Sequence, residues 1–264
     1  YAIDRVGDLY KARGDFDEAE AWFRRALDID PTYAYAIDRV GDLYKARGDF
    51  DEAEAWYRRA LDTDPTYKHA MSSLGDLYKT RGDFDEAEAW FRRALDTDPT
   101  YAYAIDSLGD LYKARGDFDE AEAWYRRALD TDPTYKHAMS SLGDLYKTRG
   151  DFDEAEAWFR RALDTDPTYA YAIDSLGDLY KARGDFDEAE AWYRRALDTD
   201  PTYIYAIISL GDLYKDRGDL DEAEAWFRRV LDTKIQIETL AAHAYAEGVL
   251  NLMLEERKKF NAET

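Results

Sequence analysis

Trp22, Trp56, Trp90, Trp124, Trp158, Trp192 and Trp226 stand 34 residues apart, and Gly7, Gly41, Gly75, Gly109, Gly143, Gly177 and Gly211 keep the same step. A unit of that size cannot bury an apolar face alone, so a chain with this period must stack each unit on its neighbours. In residues 33–66, Ile37, Val40 and Tyr44 fall at i, i+3 and i+7. Phe50, Ala53, Tyr57, Ala60 and Leu61 then follow at i, i+3, i+7, i+10 and i+11. The spacing predicts two short amphipathic helices per unit.

The break between them carries "RGDF", whose first three letters are those that integrin receptors read on their ligands. It occurs first at Arg13 and recurs at Arg47, Arg81, Arg115, Arg149 and Arg183, and Arg217 begins the variant "RGDL". Its spacing makes it a helix corner. Gly48 sits where a left-handed residue ends a helix, with Lys45 and Arg47 in the last turn. Asp49 is expected to cap the next helix with Glu52 completing a capping box, which leaves no mobile aspartate for a receptor metal. Pro65 stops the second helix and holds Asp64 out of the α region.

This pattern resembles the tetratricopeptide repeat. The family's signature positions fall on Ile37, Val40, Gly41, Tyr44, Ala53, Tyr57, Ala60 and Pro65, with Ile or Met at the first, where the family favours Trp. The resemblance implies an all-α, right-handed superhelical solenoid of antiparallel helix pairs, with first helices lining a concave groove. The expected division is seven repeats over residues 1–234 (1–32, 33–66, 67–100, 101–134, 135–168, 169–202 and 203–234). A C-terminal capping helix is expected over 235–264. That tail has helical spacing at Leu240, Ala244, Leu250, Met253 and Leu254, and its apolar content suggests a second use in self-association. Residues 67–134 and 135–202 are identical letter for letter, as recent duplication or human consensus design would produce.

Composition narrows the function. The 264 residues include 58 acidic and 36 basic, for a net charge of −22, which repels phosphate backbones and anionic lipid, so nucleic acid and membrane are not expected partners. With no long apolar run and no signal-like start, the chain reads as soluble, cytoplasmic rather than secreted. Absence of cysteine removes thiolate catalysis and the common zinc sites. His69, His137 and His243 have no second histidine at i+3 or i+4, and the "DFD" and "DTD" pairs lack the rest of a calcium loop. No catalytic residue, metal site or cofactor is expected.

The polar face of the first helices is the candidate site. The resemblance places it along the inner groove, where carboxylate-binding relatives carry Lys, Asn and Arg. This chain has aspartate at the Asn position: Asp8, Asp42, Asp76, Asp110, Asp144, Asp178 and Asp212. Together with Asp38, Asp106 and Asp174, and with Tyr35, His69, Tyr103, His137, Tyr171 and Tyr205 near the helix starts, they predict an acidic, aromatic-flanked channel. Such a channel suits an extended basic peptide or protein segment. The expected function is a non-enzymatic interaction scaffold. The alternative is a structural or engineered consensus array without a dedicated ligand, self-assembling end to end through its solenoid ends or C-terminal helix.

Overall fold

The computed structural model describes residues 2–232 and 240–263; among these it shows fifteen α-helices and no strand. The chain divides into two compact units, Tyr1–Pro133 and Thr134–Thr264. The first holds α1 (Ala2–Ala12), α2 (Phe16–Ile29), α3 (Ala34–Arg47), α4 (Phe50–Thr63), α5 (Lys68–Arg81), α6 (Phe84–Thr97), α7 (Ala102–Arg115) and α8 (Phe118–Thr131). The second holds α9 (Lys136–Arg149), α10 (Phe152–Thr165), α11 (Ala170–Arg183), α12 (Phe186–Thr199), α13 (Ile204–Arg217), α14 (Leu220–Asp232) and α15 (Leu240–Glu263).

Each odd helix up to α13 pairs with the helix after it, and within each unit the pairs pack on their sequence neighbours. Ile37, Val40 and Leu43 on α3 are buried, as are Ala53, Tyr57, Ala60 and Leu61 on α4. The two helices meet where Gly41 lacks a side chain, since a Cβ there would lie 2.6 Å from the Tyr57 ring. Gly41 thus sets how closely the pair can approach.

The corner has one expected feature and lacks another. Gly48 is left-handed, with φ 85°; its N–H donates to the Lys45 carbonyl at 3.0 Å, and the Asp49 N–H donates to the Tyr44 carbonyl at 2.9 Å. Those two bonds close the helix end in the Schellman manner. Asp49, in contrast, makes no side-chain capping bond, nor do Asp83, Asp117, Asp151 and Asp185, so the expected capping box is absent. Their ψ near 70° lies outside the usual cap conformation, and the acids act at the helix N-termini through charge alone. At the other end Asp64 accepts from the Thr66 N–H at 2.9 Å and its hydroxyl at 2.7 Å. This turn carries the chain over Pro65 into the next pair.

Polar bonds on the side of the second helices tie the pairs together. Arg47 reaches back to Glu20 at 2.6 Å and Asp17 at 2.7 Å; Arg81 does the same to Glu54 and Asp51, and Arg183 to Glu156 and Asp153. The arginine of each of these "RGDF" corners is therefore held within the fold. Trp56 stacks on Tyr44 of its own pair at 6.5 Å, beneath Arg24 of the preceding one at 5.4 Å. The tryptophans thus bridge successive pairs. Helix α15 packs on α14 and α13, burying Ala246, Leu250 and Met253 while Ala244 stays exposed. Of the expected cap at 235–264, residues 235–239 and 264 lie outside the described residues.

Candidate peptide-binding face

Successive first helices touch within each unit, which sets their polar sides next to one another there. Every fourth residue along a helix returns to one side, so Asp38 and Asp42 share the face on α3, and Asp174 and Asp178 share it on α11.

Each described aspartate at the position of Asp42 accepts one tyrosine hydroxyl, and the donor alternates. Tyr57 donates to Asp42 at 3.0 Å, Tyr125 to Asp110 at 2.9 Å and Tyr193 to Asp178 at 2.9 Å, all within one helix pair. Where phenylalanine replaces that tyrosine, at Phe23, Phe91, Phe159 and Phe227, the hydroxyl comes from the next segment of chain. Tyr35 donates to Asp8 at 2.6 Å, Tyr103 to Asp76 at 2.5 Å, Tyr171 to Asp144, and Tyr245 of α15 to Asp212 at 2.8 Å. From Phe23 to Phe159 the "WYRRAL" and "WFRRAL" variants therefore match the alternation of histidine and tyrosine on the following first helix, a coupling that the sequence reading did not make; Tyr205, after Tyr193, departs from it.

Lysines of the preceding pair supply a second contact. Lys11 meets Asp42 at 2.7 Å, Lys79 meets Asp110 at 2.9 Å and Lys147 meets Asp178 at 3.4 Å. The face is thus less acidic than a count of aspartates implies. Asp110 and Asp178 keep 41% and 45% of their side chains exposed, against 16% for Asp42.

The inner acids differ from one repeat to another. Asp38 is fully buried and pairs with Arg39 at 2.6 Å, with the Ser73 hydroxyl donating to it at 3.1 Å. It is closed to a ligand, which the sequence reading did not anticipate. Burial and the Asp42 carboxylate push its pKa up, and Arg39 opposes the rise. Asp106 is half-buried on α7. Asp174 has serine beside it instead of arginine, and its Oδ1 is shut from solvent with no hydrogen-bond partner. Burial, followed by the Asp178 charge, pushes its pKa up to about 8 against opposition from Lys147 and Ser209.

Aromatic rings run along one edge of the face. In the first unit Tyr67, His69, Tyr101 and Tyr103 follow each other at 5.4, 5.5 and 6.0 Å between ring centres. Tyr135, His137, Tyr169 and Tyr171 repeat the series in the second. The His69 Nδ1 lies 3.1 Å from the Tyr101 hydroxyl. Burial, with the charges of Lys68 and Arg39, holds the pKa of His69 below the ordinary histidine range. Tyr103, Tyr171 and Tyr205 are all exposed, Tyr205 the most at 55%. Among the described residues no group of three or more His, Asp or Glu is placed to hold a metal ion, and no helix is long and apolar enough to cross a membrane.

Helix pairs repeated at a 34-residue step, with a glycine at each close approach, define an α-helical repeat array. The chain belongs to the tetratricopeptide repeat family: two profiles of that description match it, one over residues 41–102 and 107–170 and the other over 2–66 and 176–236. Solved structures agree on the fold. A tetratricopeptide repeat protein from Parabacteroides merdae aligns with TM-score 0.69 and 19% identity over 96% of this chain and 98% of its own. Yeast Tom70 aligns with TM-score 0.77 and 19% identity over 99% of this chain and 56% of its own. PilF of Pseudomonas aeruginosa aligns with TM-score 0.59 and 20% identity over 75% and 90%. No curated protein sequence matches the chain.

Proposed function

We propose that this chain is a non-enzymatic interaction scaffold whose first-helix face binds an extended basic segment of a protein partner. The observation that carries the reading is the pairing of open carboxylates with open rings. Asp110 and Asp178 remain about half exposed, with Tyr103 and Tyr171 exposed on the same helices. A cation placed there gains a charge partner and a ring face together. Membership of a repeat family whose first helices line a ligand groove supports the same assignment. An active site needs a locally unique set of groups, whereas these are copies.

The test is a titration with a Lys- and Arg-rich peptide at low and high salt. Binding at low salt that weakens as salt rises is expected, and changing Asp76, Asp110, Asp144 and Asp178 to Ser should abolish it. Failure to bind at low salt would overturn the reading. A second reading, a structural or consensus array without a dedicated ligand, is favoured by one observation: the tyrosines and lysines of the chain already engage the face aspartates. It predicts no peptide binding and an assembly state that rises with concentration in light scattering.

A further inference from the structure

The second repeat contains its own cation. Arg39 lies with one guanidinium nitrogen 2.6 Å from Asp38 and another 2.8 Å from Asp42, and its guanidinium carbon stands 5.2 Å from the centre of the Tyr35 ring. Two carboxylates four residues apart and one ring face thus hold one guanidinium, the geometry that favours arginine over lysine. Asp42 takes this contact in addition to those from Tyr57 and Lys11.

The sixth repeat has the same acids and the same ring without the arginine. Tyr171, Asp174 and Asp178 stand at the positions of Tyr35, Asp38 and Asp42, and Ser175 stands at that of Arg39. Asp178 keeps the tyrosine and lysine contacts, from Tyr193 at 2.9 Å and Lys147 at 3.4 Å. Its side chain is 45% exposed where that of Asp42 is 16% exposed. At the Asp38 carboxyl Arg39 meets Oδ2 and the Ser73 hydroxyl meets Oδ1; at Asp174, Ser209 stands in the place of Ser73, so the partner missing there is the guanidinium. Tyr171 is also 41% exposed. A buried carboxyl without its full set of donors is costly, and a guanidinium between Asp174 and Asp178 supplies the donor that Arg39 supplies in the second repeat.

We propose that the space between Asp174, Asp178 and the Tyr171 ring is a guanidinium site, which takes an arginine side chain of the partner in the place that Arg39 fills in the second repeat. The proposal rests on the reading of this face as a site for basic segments, and it narrows that reading from positive charge to arginine. Because residues 67–134 and 135–202 are identical, Tyr103, Asp106, Ser107 and Asp110 are included in the test.

Two capped peptides, one of alternating Gly and Arg and one of alternating Gly and Lys, are titrated calorimetrically into the full chain at low salt. The arginine peptide should bind roughly tenfold tighter than the lysine peptide. The double variant Ser107→Arg/Ser175→Arg fills both places as Arg39 fills its own, and should abolish that preference while keeping the helical circular dichroism signal. A second variant, Thr131→Arg/Thr199→Arg, adds the same charge on the second helices and should retain it. Equal affinities of the two peptides for the wild-type chain would overturn the guanidinium site and leave the basic-segment reading standing. So would an arginine preference that survives in Ser107→Arg/Ser175→Arg. No binding of either peptide to the wild-type chain would overturn both.

Discussion

Asp174 shows how one neighbour sets the state of a residue. Asp38 and Asp174 occupy equivalent places, yet Asp38 has Arg39 beside it and Asp174 has Ser175. The groups facing Asp174 are Asp178 on its own helix, Lys147 on α9, Tyr193 on α12, Tyr203 just before α13 and Ser209 on α13. Its folded pKa, about 8, lies above the ordinary 3.8, so the folded chain binds more protons there than the unfolded one. The stability this group contributes is present below the ordinary pKa and is lost as pH rises through about 8. Denaturant midpoints of wild type and Asp174→Asn should therefore diverge as pH rises, with the variant gaining relative stability. A second residue-scale prediction concerns Gly41. A methyl group there meets the Tyr57 ring at 2.6 Å, so Gly41→Ala should destabilise by about 1–3 kcal/mol in denaturant unfolding, despite the higher helix propensity of alanine.

Within the helix pair, most of the architecture was legible because it rests on backbone rules. The position of Gly48 gave the left-handed corner, and the apolar spacing of Ile37, Val40, Ala53 and Tyr57 gave the buried faces. The capping role assigned to Asp49 failed because its ψ falls short of the cap region, a detail that residue type does not carry. The face residues were chosen by helical spacing alone, which hides their partners: a tyrosine hydroxyl can reach an acid on its own pair or on the preceding one, and only distances decide. Those distances make a compensation experiment possible. Tyr57→Phe should cost about 1 kcal/mol by removing the donor to Asp42. Adding His69→Tyr should recover much of it, because Tyr103 shows that a tyrosine at this position reaches the preceding aspartate; a double-mutant cycle in urea measures the recovery. Glu54 illustrates the other seam. Burial alone would raise its pKa, but hydrogen bonds from Tyr78, Arg81 and Arg58 outweigh that and lower it. Glu54→Gln should therefore destabilise by about 1 kcal/mol at neutral pH, an effect that shrinks as pH falls below the ordinary 4.5.

For the whole chain, charge is the dominant property. A surplus of 22 acidic groups repels itself, and the outer acids Asp17, Asp51 and Asp153 are about 95% exposed even while touching an arginine. Salt screens both the repulsion and these exposed ion pairs, and at this charge the repulsion is the larger effect. Melting temperature should therefore rise from roughly 10 mM to roughly 0.3 M sodium chloride. Copies so alike also raise the question of how an array keeps its register. Identical helix pairs could dock on a wrong neighbour during folding, and a hydrophobic seam would accept the error. The tyrosine hydroxyls would not. Shifting the chain by one pair would bring two donors to one aspartate and leave the next with none, while a shift by two pairs would restore the match. Tyr205, which follows Tyr193, stands outside the scheme, but through the first six repeats the alternation acts as a parity check on assembly: odd errors are penalised at the seams within each unit, and even ones, which skip a whole 68-residue block, have the farthest to travel.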